Sequence, residues 1–198
     1  NLDRFISFDE ARRFKEQFTF PASVSISKFA SGNATVLYEN EKTNPNVRVI
    51  GGDENYLLLN GFTLLSGRNI NRVDVATGRN VCLLGYDVAK KIMKGGAERA
   101  VNQIVRVNNI PYRVLGVLES RGSSFGFSRD NVIITSYSNA SRNFSGNFSY
   151  VAAIMIDDLF KVTEAMGEAE ATFRAVRKLS TTEQNNFVLD RSDSVAEK

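Results

Sequence analysis

The sequence predicts an α+β fold in which an α/β module built from both chain ends carries an inserted β-rich subdomain. Each end of the chain shows an amphipathic helix pattern beside short apolar strands. The stretch between them consists of short apolar runs separated by Gly, Asn and Asp, which is typical of strands and turns. We therefore assign residues 1–54 plus 137–198 to the α/β module and residues 55–136 to the insert.

The first predicted helix spans residues 8–18, because apolar residues recur there at intervals of three and four. These residues are Ala11, Phe14 and Phe18. Ser7 and Glu10 have the spacing of a capping box, and Pro21 prevents the helix from continuing. Three short strands are then predicted, at residues 23–27, 34–38 and 47–50.

The middle of the chain contains a predicted β-hairpin formed by residues 104–107 and 112–117. Asn108 and Asn109 tolerate positive φ and therefore suit the tight turn between the two strands. A short helix is predicted at residues 87–93 and a further strand at residues 132–135. The insert is thus mostly β-structure.

The last section begins with a run of apolar residues from Tyr150 to Ile156, which predicts a strand buried on both faces. Asp157 or Asp158 is expected to cap a long helix that follows. The apolar stripe of this helix comprises Leu159, Val162, Met166, Ala169, Phe173, Val176 and Leu179. A final strand is predicted at residues 187–189.

The composition limits the function classes. No apolar run approaches the roughly 20 residues that a membrane-spanning helix needs, so none is expected within the chain. The chain opens on Asn1 without an initiator Met or a signal peptide, which we interpret as an internal fragment of a longer protein. The single cysteine, Cys82, lies in an apolar run and is expected to be buried. The net charge of +3 comes from interleaved cations and anions, which argues against nucleic-acid binding.

Catalytic and metal-binding roles are poorly supported, because the chain contains no histidine. Ser-His-Asp triads and mixed Cys/His zinc sites are therefore excluded, and we predict no catalytic residue, no cofactor and no metal. Residues 122–126 match the G-x-S-x-G pattern of a nucleophile elbow, which leaves a hydrolase using Ser124 as an alternative. Neither a base nor a following helical pattern accompanies Ser124, so we interpret this segment as a flexible Gly/Ser loop.

The order of several short motifs resembles the periplasmic core domain of MacB-like permeases of bacterial ABC transporters. The similar segments begin with residues 49–56, which have a tyrosine after a Gly/Asp turn, and residues 65–70, which contain the pair Gly67-Arg68. They continue in order with Asp74, residues 80–85, residues 88–89, Ala100, Ile104, Val107, residues 112–118, and residues 186–187 with 193–194. Gly67 and Gly85 are expected where strands turn and where a side chain would be costly.

The resemblance implies an extracytoplasmic domain, tethered to the bacterial inner membrane by flanking helices, with a porter-like α/β module made from both chain ends. It also implies a second permease copy and a cytoplasmic ATPase, coupled through the membrane helices, as partners. A membrane-fusion adaptor, or a lipoprotein or peptide cargo, is a further expected partner. We assign Phe125, Phe127 and Arg129 as contacts for cargo or adaptor. A stand-alone extracytoplasmic binding or adhesion domain of similar fold remains the alternative.

Overall fold

The computed structural model describes residues 5–124 and 127–191, with the backbone alone at residues 123, 124 and 127. The strands are β1 (Ser23–Ala34), β2 (Val36–Tyr38), β3 (Glu41–Lys42), β4 (Val47–Gly52), β5 (Leu64–Gly67), β6 (Val81–Leu84), β7 (Ile104–Val107), β8 (Ile110–Leu118), β9 (Ser123–Ser124), β10 (Phe127–Ser128), β11 (Val132–Ser136) and β12 (Tyr150–Met155). The α-helices are α1 (Phe8–Gln17), α2 (Tyr56–Leu59), α3 (Arg72–Thr77), α4 (Tyr86–Ile92), α5 (Tyr137–Asn143) and α6 (Val162–Val176). Short 3-10 helices span Ala97–Ala100 and Leu159–Lys161.

Ten of these strands form one mixed sheet in the order β12-β1-β4-β11-β6-β8-β7-β2-β3, with β5 also paired to β8. The pairs β4/β11 and β6/β8 are parallel, and the remaining pairs are antiparallel. The strands β9 and β10 form a separate antiparallel hairpin. The fold is therefore a mixture of helices and sheet, which confirms the predicted α+β class.

The central strands are covered on both faces. All four residues of β6 are buried, and they divide between two apolar clusters. Cys82 and Leu84 belong to the cluster that includes α4, whereas Val81 and Leu83 belong to the cluster that includes Leu57 of α2. Because neighbouring side chains of a strand point to opposite faces, each cluster fills one side of the sheet.

A third cluster lies where α1 and α6 pack on the β12 side of the sheet. The ring of Phe14 in α1 meets the ring of Phe173 in α6 edge to face, with the centroids 6.1 Å apart. Phe173 also meets Phe187 edge to face at 4.7 Å. The first and last helices therefore share one core, as the sequence predicted.

Several local predictions are confirmed. The helix α1 begins after Ser7, whose side chain accepts a hydrogen bond from the Glu10 N–H while Glu10 bonds back to the Ser7 N–H. Asn108 and Asn109 adopt φ angles of 49° and 68° in the turn between β7 and β8. Gly67 has a φ of +80°, and a Cβ there would overlap with the Leu115 carbonyl.

Three predictions about the last section are wrong. The strand β12 lies at the edge of the sheet, and Val151 is 54% exposed, so this strand is not buried on both faces. Leu159 is 67% exposed in a 3-10 turn capped by Asp158, and α6 starts only at Val162. Residues 187–189 form no strand, because Phe187 is held by ring packing and not by a ladder of backbone hydrogen bonds.

The assignment of residues 1–54 plus 137–198 and of residues 55–136 to two modules stays a prediction. One sheet runs through both ranges, since β4 is hydrogen-bonded to β11. Among the described residues, no helix has the length and apolar character required to cross a bilayer.

Candidate functional site

The segments next to the two chain ends are joined by one buried side chain, that of Arg177. This side chain has no solvent exposure, and its Nε donates to Glu10 Oε2 at 2.8 Å. Its Nη2 donates to the Phe5 carbonyl at 2.9 Å, and its Nη1 donates to the Asn186 carbonyl at 2.6 Å. The guanidinium also stacks over the ring of Phe173, 4.8 Å from its centroid. We call these five residues the chain-end clamp.

The clamp holds three separate segments at fixed positions: the chain before α1 at Phe5, the first turn of α1 at Glu10, and the chain after α6 at Asn186. Burial raises the pKa of the Glu10 carboxyl, but the hydrogen bond from Arg177 and those from Ser7 outweigh burial and hold the pKa below its ordinary value of 4.5. Glu10 is therefore ionised near neutral pH, so the ion pair with Arg177 is formed there.

The second feature is the β9–β10 hairpin, which connects the central strands β8 and β11. Its base is organised by Asp130, which is buried and accepts hydrogen bonds from the Ser120 hydroxyl and the Arg121 N–H, both at 2.8 Å. Arg121 stacks on Phe62 with its guanidinium carbon 4.2 Å from the ring centroid. Ser128 donates to the Asp87 carboxylate at the start of α4. The base of the hairpin is thus fixed to α4 on one side and to the chain that follows β8 on the other.

The predicted contact residues fall on or beside this hairpin. Phe125 lies outside the described residues. Phe127 begins β10, and its side chain is likewise outside them. Arg129 follows β10 and is exposed. Ser124 ends β9, which pairs with β10, so it does not occupy the strand-to-helix turn that a nucleophile elbow requires.

The hairpin and the clamp lie at different levels of the sheet. Next to the hairpin, β11 starts at Val132, which pairs with Arg48 on β4. The neighbouring residue Val47 pairs with Ala34, the last residue of β1. On the clamp side, the Tyr150 N–H donates to the Ile6 carbonyl, and Tyr150 pairs with Lys28, six positions before Ala34. Six residues of strand correspond to about 20 Å, so the two features are well separated.

The residues that carry the family resemblance have structural roles. Asp74 is fully buried and accepts hydrogen bonds at 2.9 Å from both Arg68 and Arg79, and one at 3.0 Å from the Asn71 N–H. Burial raises the pKa of Asp74, but these hydrogen bonds outweigh it and hold the pKa below its ordinary value. A Cβ at Gly85 would overlap with the Asp130 carbonyl.

Asp53 is the other buried carboxylate of these motifs. It accepts hydrogen bonds from the Ser25 hydroxyl at 2.8 Å and the Ile26 N–H at 2.7 Å, and Lys15 lies 3.3 Å away. Asp53 therefore fastens α1 and β1 to the end of β4. An open cleft of about 440 Å³ adjoins this point and is lined by Phe8, Lys15, Glu54, Arg72, Val75, Ala76, Tyr137 and Ser138.

The sequence did not reveal the clamp, because Glu10 and Arg177 are 167 positions apart and no local pattern connects them. The partial signal was Glu10 itself, which the capping box identified for a different reason. Within the described ranges, no group of three or more Asp, Glu or Cys side chains could hold a metal ion.

Comparison with known proteins identifies the family. Residues 3–175 match the model of the MacB-like periplasmic core domain. The chain is 26% identical over 175 residues to the macrolide export ATP-binding/permease protein MacB of Escherichia coli (strain K12), covering 88% of this chain and 25% of that protein. It is 31% identical over 110 residues to the pyoverdine export ATP-binding/permease protein PvdT of Pseudomonas fluorescens, covering 54% of this chain and 17% of that protein.

Solved structures show the same fold. The periplasmic region of MacB from Actinobacillus actinomycetemcomitans superposes with a TM-score of 0.70 at 19% identity, covering 87% of this chain and 75% of that one. The extracellular domain of the ABC-type transporter YknZ from Gram-positive bacteria gives a TM-score of 0.67 at 16% identity, covering 88% of this chain and 85% of that one. The resemblance inferred from the short motifs is thereby confirmed, and the chain belongs to the family of MacB-like periplasmic core domains of ABC-transporter permeases.

Proposed function

We propose that this domain transmits ATP-driven movement from its membrane-tethered chain ends to a cargo or an adaptor outside the cytoplasmic membrane. The observation that carries the proposal is the chain-end clamp, in which one buried arginine bonds to the segment before α1 and to the segment after α6. If each of these two segments continues into a membrane helix, movement of the helices would move the domain as one body. The reason is that Arg177 keeps the segment before α1 and the segment after α6 together.

The proposed partners follow from the relatives. The curated relatives are named ATP-binding/permease proteins, and the chain spans only 17% to 27% of the length of the first three of them. We propose that a cytoplasmic ATPase acts on this domain indirectly, through membrane helices, and that a second permease copy stands beside it. The domain itself needs no cofactor in this mechanism, since its task is mechanical.

The β9–β10 hairpin is the proposed contact for the cargo or adaptor. It is about 20 Å from the clamp along the strands, so a small rotation at the chain ends produces a larger displacement at the hairpin. Its base is rigid because buried Asp130 bonds to both sides of it. Phe125, Phe127 and Arg129 are the proposed contact residues.

The clamp is tested by replacing Arg177 with Met in the membrane-embedded permease together with its ATPase. Spin labels on Arg129→Cys report the distance between the two copies before and after ATP addition. We expect ATP to change this distance in the parent protein and the Arg177→Met variant to lose at least half of that change. The variant should also lose about 3 kcal/mol of unfolding free energy, because the largely buried ion pair between Glu10 and Arg177 is broken.

Arg174→Met is the matched control, since Arg174 lies in the last turn of α6, close to Arg177, but its side chain bonds to the nearby residues Ser180, Glu183 and Asn185 and not to the segment before α1 among the described residues. Arg177→Lys retains one charge without the planar fork and serves as a milder variant that keeps the domain folded. An unchanged label distance on ATP addition to the parent protein would refute the mechanical role. Flanking gene sequence without membrane helices would favour the stand-alone binding domain.

The hairpin is tested by Arg129→Glu, with Lys42→Glu on the exposed strand β3 as the control. The probe is a radiolabelled macrolide taken up by inverted membrane vesicles in the presence of ATP. We expect uptake to fall severalfold for Arg129→Glu and to stay at the parent level for Lys42→Glu. Equal uptake by both variants would contradict a cargo contact at the hairpin.

A further inference from the structure

Beyond Tyr150, the strand β12 presents an outer edge that no strand of the described residues covers. It is the first strand in the sheet order, so none of the strands within the described ranges lies beyond it. The Tyr150 N–H points away from β1, since it donates to the Ile6 carbonyl at 3.0 Å. Backbone groups of a strand alternate in direction, so those of Ala152 and Ile154 also point outward.

A second observation gives the same direction. Ile26 pairs with Ala152, yet its N–H donates to Asp53 on the far side of β1. The Ile26–Ala152 pair is therefore one of those that exchange no backbone hydrogen bonds. The outward amides of Ala152 and Ile154 are thus available for another strand.

The edge has no feature that would discourage pairing. The six residues of β12 include no charge and no proline, which are common means of protecting an exposed edge. Val151 and Met155 are 54% and 40% exposed, and with Ala153 they occupy the same face. This face is apolar next to an open ladder of backbone groups.

We propose that β12 pairs with β12 of a second copy of this chain, antiparallel about a two-fold axis that passes between the two Ala153 residues. This inference deepens the proposed function by naming the surface through which two copies meet. In this register Ala152 exchanges hydrogen bonds with the partner's Ile154, and Val151 faces the partner's Met155. Large side chains then meet large ones at the ends and Ala meets Ala in the centre.

The register is limited by the Ile6 backbone, which already occupies the edge beside Tyr150. A partner strand can therefore extend along β12 only as far as Val151. In the proposed register the partner's Met155 lies opposite Val151, and β12 also ends at Met155. The paired segments carry no charge, so two copies meet without repulsion between them. Beyond the paired segment, Asp157 of one copy lies toward the end of the strand where Lys28 of the other covers Tyr150.

The pairing is expected to be weak in solution and effective in a membrane. Five paired residues per copy bury far less than the roughly 800 Å² per partner of a standard stable interface. Two copies tethered side by side have an effective concentration in the millimolar range, which compensates for the small area. The free chain should therefore be monomeric at micromolar concentration.

The test is disulfide formation by Ala153→Cys, both in the chain at millimolar concentration and in the membrane-embedded permease. Opposite residues in this kind of pair have Cα atoms about 4.5 Å apart, which suits a disulfide. The native Cys82 does not interfere, because burial raises the pKa of its thiol to about 12. We expect at least tenfold more cross-linked dimer for Ala153→Cys than for Val151→Cys.

Val151→Cys is the matched control, since it is exposed but lies about 13 Å from its own counterpart in this register. The double variant Val151→Cys with Met155→Cys should cross-link again. Equal cross-linking of both single variants, or none for Ala153→Cys, would overturn the register. A disulfide between Ala153→Cys and a different polypeptide, instead of a second copy of this chain, would also overturn the proposal.

Amide exchange of the unmodified chain provides a measurement that needs no variant. Raising the concentration until about half of the chain is paired should slow exchange at Ala152 and Ile154 about twofold, while exposed amides elsewhere stay unchanged. Exchange rates at these two residues that do not depend on concentration would contradict the pairing. This outcome is independent of the ATP-driven distance change, so the two proposals can fail separately.

Discussion

The centre of the sheet and the chain-end region are stabilised in different ways. In the centre, every residue of β6 and β11 is buried, and apolar clusters fill both faces. In the chain-end region, Arg177 forms an ion pair with Glu10 and donates hydrogen bonds to the Phe5 and Asn186 carbonyls. These contacts hold α1, α6 and their flanking segments together beside the edge strand β12. Apolar burial therefore stabilises the centre of the sheet, whereas polar contacts of a buried side chain stabilise the chain-end region.

In a comparison of the two regions, the largest change in stability is expected from Leu83→Ala in the centre of the sheet. Leu83 has no exposed surface, and its removal leaves a cavity in the cluster it shares with Leu57 and Ile134. We expect a loss of about 3 kcal/mol in unfolding free energy, measured by denaturant titration, with the same value at pH 7 and pH 5. A loss below about 1 kcal/mol would show that the centre is less tightly packed than its burial indicates.

A smaller effect is expected from acid, and it should act on the chain-end region. The pKa of Glu10 is lower in the folded chain than its ordinary value of 4.5, so its ion pair stabilises the fold above that pH. As the pH falls from 4.5 through the lowered pKa, Glu10 takes up a proton and this contribution is lost. Thermal unfolding followed across this range should show declining stability.

Glu10→Gln provides the control for the acid effect, because it retains a capping side chain without a titrating group. Its stability should fall less steeply with acid than that of the parent chain. The remaining decline is expected from other carboxyls with lowered pKa values, among them Asp74, which faces Arg68 and Arg79. Parallel curves for the two chains would mean that Glu10 does not contribute to the acid response.

Local chemistry explains most of what the sequence predicted correctly. The spacing of Ser7 and Glu10 defined the start of α1, and Asn108-Asn109 defined the β7–β8 turn, because both features depend on a few adjacent residues. The buried Cys82 followed from its apolar neighbours. The motifs that resemble the family also fell on structurally constrained positions such as Gly67 and Asp74.

The errors arose where the fold depends on distant partners. An apolar run such as residues 150–156 looks the same in a central strand and in an edge strand, and only the sheet order distinguishes them. Phe187 was read as part of a strand because it is apolar, whereas its partner is the Phe173 ring. The clamp was missed for the same reason, since Arg177 reaches residues at the opposite end of the chain.

The position of Arg177 has a practical consequence for choosing an expression fragment of this chain. The family match ends at residue 175, two positions before Arg177 and eleven before Asn186. A fragment cut at that limit would keep Glu10 and discard the arginine that neutralises it. An expressed fragment of this chain is therefore better ended after Phe187 than at residue 175.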